Sequence, residues 1–449
     1  MNRRNFLRHL GGISAGATLA QLGLMSHSAQ AALGDYKALV CIFLTGGNDG
    51  NNTVVPIDNV GYANYASVRG TLALPQASLV GLTEIGSTTP RFGLHPGLTS
   101  WQSIWNDGRL AVQMNTGTLM RPMTKAQFLA SVSDRPLNLF SHSDQQHQWQ
   151  SAISGTPSNT GWAGRIADQL GAVNAGSFVP TAITTTGNNL FVTGQTSRAL
   201  AVPVSGSFGL RGTGTSGANL ARSNAFMQLL GVDKEALMVD AAQEIMLNAA
   251  NYSTTLSPLL TNNTTAAAAP FAALTSGISK QLLAIAKLIE ARTTLNATRQ
   301  IFMASLGGFD THTNELNAQA TLLGQLGPAV KAFYDSMAII GEGANVTTFT
   351  LSDFSRTYKP NTGGGTDHAW GNNHFILGGA VNGQRIYGTP PSLTLGGPDD
   401  TSTEGRWIPT TSVDQYAATL ASWFGVSPSG LNSVLPNLAQ FPVKNLGFV

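Results

Sequence analysis

The sequence predicts an α/β protein whose central sheet is mostly parallel and is flanked by helices. Short apolar segments alternate along the chain with longer helical segments, and this order is typical of parallel sheets. Within a strand predicted at 37–45, residues 38–44 are apolar without interruption, as expected when both faces are buried, and a pair of glycines follows. Similar strands are predicted at 110–114, 178–185, 299–306, 346–351 and 374–377.

The helical segments of this pattern lie at 98–105, 315–340 and 413–424, with a longer Ala- and Leu-rich region at about 218–297. That region contains no motif that indicates a particular chemistry. We therefore interpret 218–297 as a helical insertion, which either covers the functional site as a cap or forms an outer layer of the fold.

Composition narrows the functional classes. Of the 449 residues, 42% are hydrophobic and only 11% are charged, against about 25% charged in an average protein. The net charge is +2, and the sequence has no basic stripe with interleaved aromatic residues, so we expect no nucleic-acid partner. Beyond the N-terminal region no apolar run approaches the roughly 20 residues of a membrane helix, so we expect no membrane span in the mature chain.

The N-terminus has the three parts of a twin-arginine signal peptide. Arg3 and Arg4 precede Asn-Phe-Leu, an apolar stretch runs over 10–25, and an Ala-Gln-Ala cleavage site ends at Ala31. An uncleaved anchor helix is the alternative, but glycines within the stretch weaken it. We predict a signal peptide at 1–31, one domain at 32–449, the twin-arginine translocase as the export partner, and a periplasmic or secreted location.

Polar residues follow three of the predicted strands. Asp49 follows the first strand, Asp310 and His312 follow the strand at 299–306, and Asp353 follows the strand at 346–351, with Arg356 after it. In parallel sheets functional groups gather at the carboxyl ends of the strands. His142 and His368 also lie within three residues of an aspartate.

Imidazole and carboxylate groups together form the ligand set of zinc, manganese or iron. Each of these residues alone is as well explained by a turn or a cap, but the whole set at successive strand ends favours a metal site. Two adjacent ions would suit displacement at phosphorus. We therefore predict divalent metal ions as cofactors, two in number, with calcium as the alternative identity.

These segments resemble a bacterial family known as domain of unknown function 1501, over nearly all of the mature chain. The motifs that carry the resemblance are Gly46–Thr53, Leu94-His95-Pro96, Ser141-His142, Gly308-Phe309-Asp310-Thr311-His312, Ser352-Asp353-Phe354-Ser355-Arg356-Thr357 and Gly365–Asn372. The family is in turn similar, in the order and spacing of these residues, to the alkaline phosphatase and sulfatase superfamily. The resemblance implies an alkaline-phosphatase-like α/β fold and commonly a twin-arginine leader.

The same resemblance implies roles for individual residues. Asp49 would be the metal ligand after the first strand and Ser141 the nucleophile, with Thr53 and Ser143 as rival nucleophiles. The further ligands implied are Asp310, His312, Asp353 and His368. Such a hydrolase would act on a small anionic substrate, a phosphate ester first and a sulfate ester second.

The chain departs from the superfamily pattern at two points. Phe354 stands where the superfamily has a histidine ligand, and the gap from Asp310 to His312 is shorter. His142, His147 and His374 are the candidates for the replacing ligand, and we include His142 in the predicted set. Arg356 either clamps an ester oxygen of the substrate or pairs with a structural carboxylate. The alternative function is a non-catalytic envelope or secreted binding protein on an eroded phosphatase-like scaffold.

Overall fold

The computed structural model describes residues 35–204, 214, 216–230 and 237–449. The predicted signal peptide at 1–31 lies outside the described residues, as do 205–213, 215 and 231–236. Among the described helices, none has the length and apolar character needed to cross a bilayer.

The strands of the described residues are β1 (Lys37–Thr45), β2 (Val54–Pro56), β3 (Val80–Leu82), β4 (Phe92–Leu94), β5 (Leu110–Gly117), β6 (Ala182–Thr184), β7 (Leu200–Ala201), β8 (Arg299–Gly307), β9 (Val346–Ser352), β10 (Asn372–Gly378), β11 (Arg385–Tyr387) and β12 (Thr411–Ser412).

The α-helices of the same residues are α1 (Gly50–Thr53), α2 (Asn59–Arg69), α3 (Gln102–Asn106), α4 (Lys125–Ala130), α5 (His142–Ser151), α6 (Trp162–Leu170), α7 (Gly217–Leu230), α8 (Leu237–Thr261), α9 (Gly277–Glu290), α10 (Glu315–Ile339), α11 (Val413–Phe424) and α12 (Leu431–Val434). Short 3-10 helices lie at Gly70–Leu72, Gln76–Ser78, Pro96–Trp101, Ala266–Phe271, Gly343–Asn345 and Leu438–Gln440.

The larger sheet has the strand order β11-β5-β10-β9-β1-β8-β6-β7, and β12 pairs with β5. β1 runs parallel to both β8 and β9, whereas β10 is antiparallel to both β9 and β5. The remaining pairs in this sheet are parallel. The predicted mostly parallel α/β sheet flanked by helices is therefore confirmed. β10 reverses because no helix separates it from β9, and a parallel return needs a crossover.

Two apolar cores lie on opposite faces of β1. Val40, Ile42 and Leu44 belong to one core, with α9 and α10, and Leu39 and Cys41 belong to the other, with α6 and α11. Successive side chains of a strand point to opposite faces, so an apolar run without alternation supplies both cores. This placement makes β1 the centre of a three-layer fold.

Some predicted elements differ in extent. The strand predicted at 178–185 is reduced to β6, and a separate three-stranded sheet, in the order β2-β4-β3, has no counterpart in the predicted pattern. Within the predicted insertion, α9 begins at Gly277, where the Ser276 side chain accepts from the Ser279 amide. α9 packs on β8 and α10, so this part of the insertion belongs to the outer layer.

Asp414 is a buried carboxyl group in the first turn of α11. It is 0% exposed, and Ser412 Oγ donates to its Oδ2 atom at 2.6 Å. Burial raises the pKa of Asp414 to about 7, although the Ser412 hydrogen bond lowers it. Because this folded-state pKa lies above the unfolded value of about 3.9, the carboxyl contributes most stability below about pH 4 and loses it as pH rises through about 7.

We expect Asp414→Asn to gain stability relative to the native protein as pH rises, because the amide stays neutral. Between about pH 5 and pH 8 the free energy of unfolding of the native protein should fall relative to that of the variant by about 2–3 kcal/mol. Denaturant titration of both proteins at several pH values measures this difference. A difference that is independent of pH would contradict the assignment.

Candidate metal centre

The loops after β1, β8 and β9 meet at one edge of the sheet. The three strands are adjacent and parallel, with Thr45 in register with Gly307 and Leu44 in register with Ser352. Residues that directly follow these strands therefore become neighbours in space. This edge brings Asp310 and Asp353 together, as the strand-end pattern predicted.

Gly46 allows the first two loops to pack closely. Its φ is +114°, and a Cβ atom here would lie 2.5 Å from the Asp310 amide nitrogen. The Gly46 amide also donates to Asp353 Oδ1 at 3.0 Å. A residue with a side chain would clash and be strained, so glycine is required where the three loops meet.

His368 reaches the site through a short antiparallel pairing after β9. The backbones of Arg356 and His368 form an isolated bridge, and the Thr357 amide donates to the Asp367 carbonyl at 2.9 Å. The Ala369 amide donates to the Ser355 carbonyl at 2.9 Å. The Ser-Asp-Phe-Ser-Arg-Thr and Thr-Asp-His motifs are thus paired segments of one local structure.

His142 is the first residue of α5, which begins after the N-cap residue Ser141. Its Nδ1 atom lies 2.7 Å from Asp353 Oδ2, and Gln146 Nε2 donates to the same oxygen at 2.7 Å. Residues four apart lie on the same helix face, so one face of α5 binds Asp353. This contact fixes the start of α5 beside the sheet edge.

Three imidazoles point their Nε2 atoms toward one carboxylate oxygen, Asp310 Oδ1. The distances from this oxygen are 3.4 Å to His142, 3.0 Å to His312 and 3.3 Å to His368. The Nε2 atoms of His312 and His368 lie 3.0 Å apart. His142, Asp310 and His368 offer ligand atoms that all lie within 4.8 Å of one another.

The opposite ring nitrogen of each histidine contacts an oxygen atom of the protein. The contacts are His142 Nδ1 to Asp353 Oδ2 at 2.7 Å, His312 Nδ1 to Asp367 Oδ1 at 3.0 Å, and His368 Nδ1 to the Phe140 carbonyl at 2.7 Å. Carbonyl and ionised carboxylate oxygens only accept hydrogen bonds, so each Nδ1 atom donates. In the neutral ring the Nε2 atom then presents a lone pair, which is the form that binds a metal ion.

Three of these residues form a donor set that fits a divalent ion with an open coordination position. Metal–ligand distances of about 2.0–2.1 Å place tetrahedral ligand atoms about 3.3 Å apart, and Asp310 Oδ1 lies 3.4 Å from His142 Nε2 and 3.3 Å from His368 Nε2. His312 is not part of the group whose ligand atoms all lie within 4.8 Å of one another. His142 Nε2 is buried and has no hydrogen-bond partner among the described residues. The ligand side chains are 24–45% exposed, so an ion has access from solvent.

The electrostatic surroundings favour this arrangement. Burial lowers the pKa of His368, against the Phe140 hydrogen bond that raises it, and so keeps the ring neutral. Burial alone would raise the pKa of Asp310, but the hydrogen bond and charge of Arg356 bring it below its usual value. At neutral pH the site therefore offers a neutral imidazole and an ionised carboxylate.

Asp49 lies outside the convergent group, which consists of His142, Asp310, His312 and His368. Its Oδ1 atom accepts from the Asn51 amide and side chain at 3.0 and 3.1 Å, and its Oδ2 atom pairs with the Arg69 guanidinium. Arg69 also donates to Glu315 Oε1 at 2.9 Å, and these three charged residues are at most 1% exposed. Burial and the charge of Asp49 raise the pKa of Glu315, whereas the charge of Arg69 lowers it. Both oxygens of Asp49 are bound within the protein.

Arg356 is buried and pairs with a carboxylate of the site. Its Nη1 atom donates to Asp310 Oδ1 at 2.8 Å, and its Nε atom donates to Thr366 Oγ1 at 3.2 Å. The Nη2 atom donates to the Thr366 carbonyl. The side chain is 0% exposed, so of its two predicted roles the geometry favours pairing with a carboxylate.

The predicted nucleophiles differ in their surroundings. Ser141 is half-buried, and its Oγ atom donates to Asp144 Oδ2 at 2.6 Å. Ser143 is exposed. Thr53 is 0% exposed, and its hydroxyl donates to the Asp49 carbonyl at 2.7 Å, so this hydroxyl is not accessible to a substrate.

Two of the replacement histidines lie apart from the convergent group. His147 Nε2 contacts the backbone of Ser158, and His374 is buried against Trp149 and Tyr416. Burial lowers the pKa of His374 to about 3. Of the three candidates, His142 alone contacts Asp310.

Sequence reasoning missed two partners of the histidines. Asp367 contacts His312. Its position directly before His368 was visible in the sequence. The Phe140 carbonyl was not, because it is presented by an aromatic residue with φ of 76°, a conformation rare for bulky side chains. Backbone conformation of this kind leaves no signal in residue types.

We expect His142 in the metal-free protein to titrate above the usual histidine pKa of about 6.5, because Asp353 stabilises its protonated ring. Asp353→Asn removes this charge and should lower the pKa of His142. NMR titration of the histidine ring signals measures both values. An unchanged titration of His142 in this variant would contradict the contact.

Comparison with solved structures gives similarities of low sequence identity and low TM-score. The crystal structure of Ps i-CgsB in complex with k-i-k-neocarrahexaose is 9% identical, covers 88% of this chain and 72% of that chain, and has a TM-score of 0.33. The C-terminal periplasmic domain of EcEptC from Escherichia coli, in complex with Zn, is 11% identical and has a TM-score of 0.32. This match covers 88% of this chain and 84% of that chain.

Comparison with curated protein sequences gives no match. The profile of one protein family does match, over residues 36–402, and its description is "Protein of unknown function (DUF1501)". This range includes every residue of the convergent group and confirms the resemblance drawn from the motifs. The chain belongs to the DUF1501 family.

Proposed function

We propose that this protein is a metal-dependent hydrolase of phosphate esters, with one divalent ion held by His142, Asp310 and His368 and with His312 beside it. One observation carries the proposal: three Nε2 atoms converge on one carboxylate oxygen while each Nδ1 atom is bound to an oxygen of the protein. Histidine side chains held only by packing have no reason to share this orientation.

The ligand types favour zinc, followed by manganese or iron. Imidazole nitrogen is a good ligand for these ions, whereas calcium prefers a shell of oxygen atoms. Within the described part of the chain, a single group of this kind is found. Since both oxygens of Asp49 are engaged elsewhere, the proposal narrows the two predicted ions to one.

A bound ion of this type would act as a Lewis acid and stabilise negative charge on an ester oxygen. The start of α5 adds to this, because the first amide groups of a helix lack partners within the helix and favour anions. His142 is the first residue of α5, so these amides lie next to the ligand group. A phosphate monoester carries more negative charge than a sulfate ester, which favours phosphate.

Ser141 is the proposed nucleophile. Both of its neighbours in the chain contact the site. The Phe140 carbonyl contacts His368 Nδ1, and His142 is a proposed ligand. The Ser141 hydroxyl donates to Asp144 Oδ2 at 2.6 Å. This carboxylate can accept the proton when the Ser141 oxygen attacks the phosphorus atom of the ester. Arg356 is assigned to Asp310 and not to the substrate.

A non-catalytic binding protein is the second candidate. The observation that favours it is that the two charged groups most useful to a two-metal phosphatase, Asp49 and Arg356, are both engaged inside the protein. Such a protein would retain the ion but would not hydrolyse esters. Metal content and turnover together therefore distinguish the two candidates.

We expect purified protein to contain about one zinc, manganese or iron ion per chain by mass spectrometry. The double variant Asp310→Ala/His368→Ala should lose the ion while remaining folded by circular dichroism, because it removes two of the three proposed ligands. His147→Ala, on the same helix but outside the group, is the control and should keep the ion. Metal content that is unchanged in the double variant would refute the ligand assignment.

We expect the metal-loaded protein to hydrolyse a chromogenic aryl phosphate and Ser141→Ala to lower kcat by at least about a hundredfold, since it removes the nucleophile. Ser143→Ala, two residues away and exposed, should retain most of the rate. An ion bound without turnover of phosphate or sulfate esters would favour the non-catalytic candidate.

We further propose that the protein is exported by the twin-arginine translocase, on the basis of Arg3 and Arg4 and the cleavage site that follows. In a Gram-negative host, native protein should appear in the periplasm with Ala32 as its first residue. Arg3→Lys/Arg4→Lys should leave it in the cytoplasm with its leader uncut. Normal export of that variant would contradict the route.

A further inference from the structure

Asp310 is the most exposed of the proposed ligands, at 45% of its side chain, yet three imidazoles depend on its position. An exposed carboxylate on a loop rotates freely unless something holds it. Arg356 Nη1 donates to Asp310 Oδ1 at 2.8 Å from a fully buried side chain. A carboxylate oxygen has two lone pairs, so the same atom can accept this bond and bind an ion.

The orientation of the guanidinium is fixed from the other side by Thr366. Arg356 Nε donates to Thr366 Oγ1 at 3.2 Å, and Arg356 Nη2 donates to the Thr366 carbonyl. The guanidinium is planar and rigid, so two bonds to one residue determine the direction of the third nitrogen, Nη1. Thr366 is 0% exposed, and water cannot replace its hydroxyl.

Glu315 fixes the Thr366 hydroxyl in turn. Thr366 Oγ1 donates to Glu315 Oε2, which leaves a lone pair of the hydroxyl for Arg356 Nε. Glu315 is held by Arg69, which donates to Oε1 at 2.9 Å. A continuous line of buried contacts therefore leads from the ion pair at Arg69 to the exposed carboxylate.

We propose that Thr366 is a positioning residue for the metal centre, which acts through Arg356 to hold Asp310 toward the three imidazoles. The inference rests on the proposed function, because it presupposes an ion at this site. Thr366 itself contributes no ligand atom. Its role is to reduce the freedom of the one ligand that solvent would otherwise disorder.

The test compares two variants of Thr366 and a control variant with the native protein. Thr366→Val keeps the shape of the side chain but removes the hydroxyl, and Thr366→Ser keeps the hydroxyl. Thr419→Val is the matched control: Thr419 lies on α11 and is 1% exposed, and its hydroxyl donates to the Gln415 carbonyl and accepts from the Leu446 amide. Zn²⁺ affinity is measured by calorimetric titration, and the visible spectrum of the Co²⁺-loaded protein reports the ligand geometry.

We expect Thr366→Val to bind Zn²⁺ about tenfold more weakly, as for other groups that orient metal ligands, and to change the Co²⁺ spectrum. Thr366→Ser should restore both, and Thr419→Val should lower only the melting temperature. Glu315→Gln changes the residue that accepts the Thr366 hydrogen bond and should also weaken Zn²⁺ binding. If Thr366→Val does not fold, this variant tests the positioning role in its place.

The outcomes separate the two proposals. Native Zn²⁺ affinity in Thr366→Val, or a loss that Thr366→Ser does not restore, overturns the positioning role and leaves the proposed function standing. Failure of the native protein to bind Zn²⁺, Mn²⁺ and Fe²⁺ alike overturns both.

Discussion

The parallel pairing of β1 with β8 and β9 is the constraint on which the rest of the structure depends. The continuous register over Lys37–Thr45 places three strand ends at one edge, and the loops that follow inherit this alignment. A shift of one residue in either pairing would turn the side chains of a buried strand to the opposite core. The two apolar cores therefore fix the positions of Asp310 and Asp353 without any contact to them.

A second constraint is that buried polar atoms need partners. The edge of the sheet contains an unusual number of charged and amide groups for a chain with 11% charged residues. Most are paired with one another: Arg69 with two carboxylates, and Arg356 with Asp310. This pairing explains why charged residues near a functional site do not all act on a substrate.

Much of the fold followed from the sequence, because uninterrupted apolar strands and terminal glycines are local signals. The same reasoning indicated His142, Asp310 and His368, which lie together. It could not separate them from Asp49, since the partner that engages Asp49 is Arg69, twenty residues away and without a motif. Nor could it foresee that β10 is antiparallel, because strand direction depends on the path of the connecting chain and not on residue type.

The proposed ligand group has a further consequence for how the protein is made. Its contacts join residues that are far apart in the chain: Phe140 to His368, 228 positions apart, and His142 to Asp353, 211 positions apart. No fragment that ends before the last of these segments contains the complete group. An ion could then bind tightly only after the chain is complete and folded. Its binding free energy would stabilise the native state alone.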